Sequence, residues 1–265
     1  MKYEYYLLLN ISIFIIITTF FYYRKYYNKK NYNKLIKAYV INLNYRIDRK
    51  INFISSYNLK NINYEIVNAI DKKNLIANTL FSNKILGDIG YNNLLLPIRY
   101  NHYEFNNLGA VGCYLSHIKI WYKILNDNVK YGIVYEDDVL FNNKITSDLI
   151  MESINNLPDD WHILLLNKNK VKMHKVNNIP DLYKIERFLC THSYVINSNI
   201  IHYLLENVLP INQQIDFKLS CLATKNIINI YMYNNNKHYK QYRNNITNIQ
   251  TDTKKGASWK LNCKI

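Results

Sequence analysis

The segment YGIVYEDDV, residues 131–139, joins an apolar run to three consecutive carboxylates. The run YGIVY predicts a short buried strand. Glu136, Asp137 and Asp138 follow at its C-terminal end, and in open α/β sheets that end is where ligands bind. Adjacent carboxylates at a partly buried edge repel one another, and a divalent cation relieves that repulsion. The segment therefore predicts a metal site at a strand end, with an exposed acidic turn as the alternative.

The segments on both sides of this strand alternate between strand and helix patterns, which is typical of a layered α/β domain. The predicted elements are strands at residues 38–43, 64–70, 162–166, 191–197 and 227–233, and helices at residues 48–57, 110–126 and 198–208. Residues 72–104 show no clear period, so we expect them to form an irregular surface excursion that shapes a cleft.

The composition indicates one folded domain rather than a disordered or fibrous chain. The protein has 265 residues, of which 49% are apolar and 20% charged, enough for a large core. Its net charge of +15 is weak evidence for an anionic partner, because the lysine excess accompanies a general enrichment in Asn, Ile and Tyr. The sequence lacks a basic, aromatic-interleaved motif, so no nucleic-acid partner is expected. The four cysteines form no C-x-x-C pair and are expected to be isolated thiols.

The N-terminus carries an uncharged apolar run, LLLNISIFIIITTFFYY, at residues 7–23. The run is just long enough to cross a bilayer, so it predicts a single transmembrane anchor after a tail at residues 1–6. A cleaved signal peptide and a buried core helix are the alternatives. A basic tether at residues 24–36 favours a cytosolic domain, while an endomembrane lumen stays open. The folded domain is predicted at residues 37–253 and a C-terminal tail at residues 254–265.

Three segments resemble a known family. VINLNYRIDR at residues 40–49, LGAVGCYLSHIKIW at residues 108–121 and IVYEDDV at residues 133–139 resemble glycosyltransferase family 25 in their order and spacing. That family includes lipooligosaccharide galactosyltransferases and collagen hydroxylysine galactosyltransferases. QQIDFKLS at residues 213–220 and QTDT at residues 250–253 are looser matches. The resemblance covers most of the predicted domain.

The resemblance implies a GT-A-type, Rossmann-like single domain with a mixed sheet, preceded by the transmembrane helix. It implies an inverting enzyme that moves a hexose, galactose in the first instance, from a UDP-sugar to a hydroxyl group on a glycan or protein. It also implies Mn²⁺ or Mg²⁺, with Asp138 as the leading ligand, Asp137 as a second candidate, and Glu136 reaching the ribose or a metal-bound water. A catalytically inactive, membrane-tethered binding module is the alternative.

Other polar residues in these segments are candidates for donor binding. Asn42, at a strand end, can bind uracil or ribose, and the forked donors of Arg46 and Arg49 suit a phosphate. The alternative for both arginines is a solvated pair with Asp48. His117 is a candidate for a donor-sugar hydroxyl, with a structural histidine as the alternative.

The acceptor hydroxyl needs a positioned carboxylate base, because it is a poor nucleophile near neutral pH. Asp216, well downstream of the acidic triplet, is the first candidate, and Asp252 is the second. The alternative for Asp216 is a charge at the N-terminus of a short helix.

Overall fold

The computed structural model describes residues 35–141, 145–167 and 171–234, two further strands at residues 239–241 and 253–258, and Cys263. The predicted tail and anchor at residues 1–23 lie outside the described residues, as do most of the tether and Asp252. Among the helices of the described ranges, none is both long and apolar enough to span a membrane.

A mixed sheet forms the centre of the domain. The described strands are β1 (Ile36–Asn42), β2 (Tyr64–Asn68), β3 (Arg99–Asn101), β4 (Tyr131–Glu136), β5 (Val139–Phe141), β6 (Ile163–Leu165), β7 (Lys172–Lys175), β8 (Leu182–Arg187), β9 (Ser193–Asn197), β10 (Ile230–Tyr233), β11 (Tyr239–Gln241) and β12 (Thr253–Ser258). Eight of them form one sheet in the order β2-β1-β4-β9-β6-β10-β8-β7, while β11 pairs with β5 and β12 with β3. β1 is parallel to β2 and β4, whereas β9 is antiparallel to β4 and β6. The mixed α/β sheet expected from the sequence is confirmed.

Helices cover the sheet. Those described are α1 (Ile47–Ser56), α2 (Ala77–Ser82), α3 (Asp88–Asn93), α4 (Leu108–Asn126), α5 (Ser147–Asn155), α6 (Ile201–Asn207) and α7 (Ile215–Thr224). The 19-residue α4 begins where the Asn107 side chain accepts the Gly109 N–H at 2.8 Å, an N-cap that satisfies one of the free donors of the first turn. The helix predicted at residues 110–126 is therefore confirmed, with two more residues at its start.

The central strands are buried on both faces. Tyr39 and Ile41 of β1 belong to one apolar cluster, and Ala38 and Val40 belong to the other. Successive side chains of a strand point to opposite faces, so β1 separates the two clusters. α4 covers the first face with the fully buried Trp121, while α1 and α5 contribute to the second. The parallel pairing of β1 with β4, in which Ile41 lies opposite Glu136, sets the ends of the two strands side by side.

The loop after β2 is fastened to α4. A Cβ at Gly112 would collide with the carbonyl oxygen of Ile70, so this close approach requires glycine. Ser116, one turn further along α4, donates to the Gly112 carbonyl oxygen at 2.7 Å and accepts the Ile70 N–H at 2.8 Å. The contacts fix the loop next to the C-terminal end of β1.

Several boundaries differ from the predictions. The excursion at residues 72–104 contains α2, α3 and β3, so it is not wholly irregular. The helix expected from Ser198 is a 3₁₀ turn, Ser198–Ile200, followed by α6. The strand β7 was not predicted, because it is largely exposed and its sequence KMHK has no apolar run. β12 begins at Thr253, the last residue of the predicted domain, and continues into the segment predicted as a tail.

The expectation that all four cysteines are isolated thiols is wrong. Cys221 on α7 forms a disulfide with Cys263, with the Cα atoms 5.2 Å apart and a sequence separation of 42. Spacing along the chain cannot reveal this pair, because folding brings together two residues that are 42 positions apart. Within the described residues, Cys113 and Cys190 do not take part in a disulfide.

Candidate active site

A cleft opens at the C-terminal ends of β1 and β4, the edge at which the sequence predicts ligand binding. It encloses about 570 Å³ of empty space, part of it open to solvent. Its charged lining residues are Arg49, Asp71, Lys72, Glu136 and Asp137. Two members of the acidic triplet therefore face a hollow and do not form a convex exposed turn.

Three hydrogen bonds hold Asp137 in place. Its backbone N–H donates to the carbonyl oxygen of Ile41 at 3.1 Å. Its Oδ2 accepts from Asn42 Nδ2 at 2.8 Å, and its Oδ1 accepts from the Arg49 guanidinium at 3.1 Å. Burial raises the pKa of Asp137 and outweighs the opposing effects of Arg49 and Asn42. Asn42 and Arg49, both predicted to bind the donor, therefore also orient one acid of the triplet.

Arg46 forms a bidentate pair with Asp48. Its Nε and one terminal nitrogen donate to the two carboxylate oxygens at 2.9 and 2.7 Å. Hydrogen bonding to Arg46 lowers the pKa of Asp48 to about 2. The alternative of a pair with Asp48 therefore fits Arg46, whereas Arg49 pairs with Asp137.

Glu136 ends β4, and its carboxylate meets two polar side chains. Its Oε1 accepts a hydrogen bond from Thr191 Oγ1 at 3.2 Å, and His117 Nε2 lies 3.6 Å from the same oxygen. Burial opposes ionisation of Glu136, but the contacts with His117 and Thr191 outweigh it and hold its pKa below the usual range. Glu136 is therefore a carboxylate at neutral pH.

His117 has no solvent-exposed surface. Its Nδ1 lies 3.0 Å from the Tyr194 hydroxyl, and its Nε2 lies 3.1 Å from Thr191 Oγ1. The predicted contact with a donor-sugar hydroxyl does not fit this placement, because the buried ring exposes no atom to a ligand. The alternative of a structural histidine agrees with the structure, although the partners are side chains.

Two sets of residues can be tested as cation ligands. Cys113, His117 and Glu136 have potential ligand atoms within 4.8 Å of one another. Both nitrogens of His117 already have partners, and burial raises the pKa of the Cys113 thiol well above its usual value, so this set suits a metal poorly. The triplet offers carboxylate oxygens, which Mn²⁺ and Mg²⁺ prefer. Asp138, the leading ligand that the resemblance implies, is buried next to Asp137 at this strand end.

Asp216 occupies the first turn of α7, and its side chain is buried. Its Oδ2 accepts the Cys190 N–H and its Oδ1 accepts the Phe217 N–H, each at 2.8 Å. Burial raises the pKa of Asp216 to about 6 against these hydrogen bonds, and the charge of Glu136 adds to the shift. The predicted alternative, a charge at a helix N-terminus, describes its position but not its raised pKa.

The fold brings the predicted base and the acidic triplet together. After burial, the charges that raise the pKa of the Cys113 thiol are those of Glu136, Asp216 and Asp138, so all three carboxylates lie near this one side chain. Cys113 itself lines the cleft. Asp252, the second candidate base, lies outside the described residues.

Sequence reasoning missed Thr191 and Tyr194. Both fall within the segment predicted as a strand, but their contacts with His117 span 74 and 77 residues of sequence. The sequence does contain one chemical signal for these two residues. A hydroxyl in a buried strand needs a hydrogen-bond partner, although the sequence does not say which.

The sequence model described as glycosyltransferase family 25 (LPS biosynthesis protein) matches residues 35–219. Procollagen galactosyltransferase 2 of Mus musculus is 26% identical over 181 residues, which are 65% of this chain and 27% of that protein. Inactive glycosyltransferase 25 family member 3 of Mus musculus is 29% identical over 153 residues, which are 55% of this chain and 24% of that protein. The chain spans about a quarter of the length of these curated relatives.

Among solved structures, a mutant of Drosophila beta-1,4-galactosyltransferase 7 in complex with manganese, UDP-Gal and xylobiose is similar to this chain. The alignment covers 79% of this chain and 71% of that chain, with 11% identity and a TM-score of 0.40.

Proposed function

Because the chain belongs to glycosyltransferase family 25, we propose that it is a GT-A-type enzyme that transfers a hexose from a UDP-sugar to a hydroxyl group of a glycan or protein. Galactose is the leading candidate for the hexose. The observation that carries the proposal is the cleft at the ends of the parallel strands β1 and β4, which Glu136 lines, with Asp138 and Asp216 buried near its lining residue Cys113. An anionic cleft in that place suits a diphosphate only when a divalent cation accompanies it.

In this proposal Asp138 is the leading ligand for Mn²⁺ or Mg²⁺, and Glu136 faces the donor ribose. When bound, the cation supplies Lewis-acid stabilisation of the negative charge that grows on the departing diphosphate. Asp137, predicted as a second ligand, receives a different role, because Asn42 and Arg49 occupy both of its oxygens. It holds the ends of β1 and β4 in register beneath the donor.

Asp216 is the proposed base for the acceptor hydroxyl. A pKa of about 6 leaves it ionised at neutral pH, yet close enough to that pH to accept a proton readily. Its hydrogen bonds to the N–H groups of Cys190 and Phe217 fix the carboxylate without consuming its charge. Inversion at the sugar carbon requires such a base on the face opposite the diphosphate.

The disulfide supports an oxidising compartment for the domain, since such bonds are rare in the cytosol. We therefore favour an endomembrane lumen or another extracytoplasmic side over the cytosolic side suggested by the basic tether, with residues 7–23 as the membrane anchor. Thiol labelling of the chain, isolated without reductant and then unfolded in urea, should modify Cys113 and Cys190 and leave Cys221 and Cys263 unmodified. Labelling of all four cysteines in the native host would contradict this placement.

Turnover of UDP-hexoses by the purified chain tests the proposed activity. We expect UDP release with Mn²⁺ and none with EDTA, with UDP-galactose as the best donor in a panel that includes UDP-glucose. The same panel measured by thermal unfolding shows which donors bind, because a ligand of the native state raises the melting temperature. Equal release with and without EDTA would reject the metal assignment.

A second candidate function is an inactive binding module. The observation that favours it is that one of the similar relatives is named inactive. A UDP-sugar that raises the melting temperature but yields no UDP with any acceptor would support this second function.

A further inference from the structure

A chain of hydrogen bonds runs from the interior of α4 to the floor of the cleft. Trp121 Nε1 donates to the Tyr194 hydroxyl at 3.0 Å, and that hydroxyl lies 3.0 Å from Nδ1 of His117. His117 Nε2 meets Thr191 Oγ1 at 3.1 Å, and Thr191 donates to Glu136 at 3.2 Å. Each step is within hydrogen-bond distance. The chain ends on the one acid of the triplet that terminates β4.

The chemistry of Trp121, the first residue in this series of hydrogen bonds, sets the direction in which the protons are donated. The indole N–H of Trp121 can only donate, so the Tyr194 oxygen must accept. Tyr194 then has one proton to give, and its remaining partner is Nδ1 of His117. His117 therefore accepts at Nδ1 and carries its proton on Nε2, directed at Thr191 and Glu136. The Thr191 proton in turn points at the Glu136 carboxylate.

The opposite direction leaves a buried proton without an acceptor. If Nδ1 carried the proton, the Tyr194 oxygen would accept from both His117 and Trp121, and its own proton would need a third partner. Tyr194 is only 1% exposed, so bulk water cannot accept the proton of its hydroxyl group. A buried donor left unsatisfied costs more free energy than one hydrogen bond contributes.

We propose that His117 and Thr191 are positioning residues that fix the Glu136 carboxylate on the floor of the cleft, and that neither touches the donor. The proposal rests on the proposed function in one respect, that Glu136 is the group that meets the donor ribose. It assigns a role to three buried polar side chains, His117, Thr191 and Tyr194, that lie behind the reacting groups. Because the carboxylate would contact the donor in the ground state and the transition state alike, loss of its alignment should raise KM more than it lowers kcat.

The histidine tautomer tests the direction of the chain without any activity measurement. In a long-range ¹H–¹⁵N spectrum of the full chain labelled with ¹⁵N-histidine, His117 should show a protonated Nε2 and an unprotonated Nδ1. Loss of its signals in His117→Gln identifies them. A ring protonated at Nδ1 would overturn the proposal.

Two substitutions at Thr191 test the last step. Thr191→Val keeps the shape of the side chain but removes the hydroxyl, and it should raise KM for the UDP-sugar about tenfold while kcat changes less than about threefold. Thr191→Ser restores the hydroxyl and should recover KM. Equal KM values for the valine and serine variants would overturn the proposal.

A matched pair of tyrosines separates positioning from stability. Tyr194→Phe and Tyr114→Phe each remove one buried hydroxyl, but the hydroxyl of Tyr114, on α4 like His117, donates to the Val208 carbonyl oxygen. Both variants should lower the melting temperature, and KM should rise in Tyr194→Phe alone. The same KM in both would overturn the proposal. A protein that shows the expected tautomer but binds no UDP-sugar would instead contradict the proposed function. The assignment of the hydrogen bonds would remain valid in that case.

Discussion

Charged clusters lie at the two ends of β1, and they are built differently. The lysine cluster, at the N-terminal end, consists of Lys37, Glu65, Lys123 and Asp127. Its two cations and two anions lie 2.6 to 3.7 Å apart. The cleft cluster, at the C-terminal end, consists of Arg49, Glu136, Asp137, Asp138 and Asp216. In it Arg49 pairs with one of the four carboxylates, Asp137.

The difference shows how a structural network can be told from a binding site. Within the lysine cluster the charges balance, and the lysines hold the pKa values of Glu65 and Asp127 below normal even though burial opposes this. In the cleft cluster burial raises the pKa values of Asp137 and Asp216, whereas the contacts with His117 and Thr191 hold that of Glu136 below its usual range. Buried carboxylates with raised pKa values beside a cleft are typical of functional sites, whereas a balanced network of paired charges is typical of a structural role.

The largest expected effect comes from one Asp→Asn substitution in each cluster. Asp138→Asn should lower metal-dependent UDP release about 10³-fold, because a ligand of the proposed cation is lost. Asp127→Asn, its matched control, should leave release unchanged within about twofold and lower the free energy of unfolding by about 1 kcal/mol or less. Equal activity of the two variants would remove the distinction between the clusters.

The next effect concerns the proposed base. Activity should rise with pH through an apparent pKa of about 6, because Asp216 must be ionised to accept the proton. Asp216→Asn should lower kcat about 10²-fold and abolish this rise. A pH profile that keeps its rise in the variant would assign the base to another residue.

The same carboxyl predicts a change of stability with pH. Its pKa in the folded state, about 6, lies above the ordinary value of 3.8, so the native state binds more protons than the unfolded state between these values. Its contribution to the free energy of unfolding should therefore fall as pH rises from about 4 to about 6. Urea unfolding of wild type and Asp216→Asn should show a smaller fall in the variant.

The smallest pair of effects compares one cation from each cluster. Arg49→Met leaves the buried Asp137 without its ion pair and should lower the free energy of unfolding by about 3 kcal/mol. Lys123→Met leaves Glu65 and Asp127 paired with Lys37 and should cost less than about 1 kcal/mol. Similar losses in both variants, measured by urea unfolding, would mean that burial does not separate the clusters.

Much of the core of the fold could be predicted because its signals are local. The apolar face of α4 repeats with the period of a helix, and β4 is a short apolar run that ends in acids. The last two strands in the order of the sheet, β8 and the edge strand β7, could not be predicted in this way, because their pattern depends on neighbours that cover them only in part.

The candidate site divides along the same line. The positions of Asn42 and Glu136 at strand ends follow from sequence alone, since each comes directly after an apolar run. The partners of His117 do not follow from the sequence. Tyr194 lies on β9, an antiparallel neighbour of β4, and Thr191 lies just before β9. From the sequence, a histidine on a helix is therefore equally compatible with ligand binding and with a buried structural role, until its neighbours are known.

By itself, the sequence determined the alternation of strands and helices, the acidic end of the central strand and the family resemblance, all of which are written in consecutive residues. Only the tertiary structure decided which acids are already paired, that His117 is buried, that Cys221 meets Cys263 and that Asp216 lies near the triplet. The physical reason is distance: the charge, burial and hydrogen bonding of a side chain depend on atoms tens of residues away, and chain folding alone brings those atoms together.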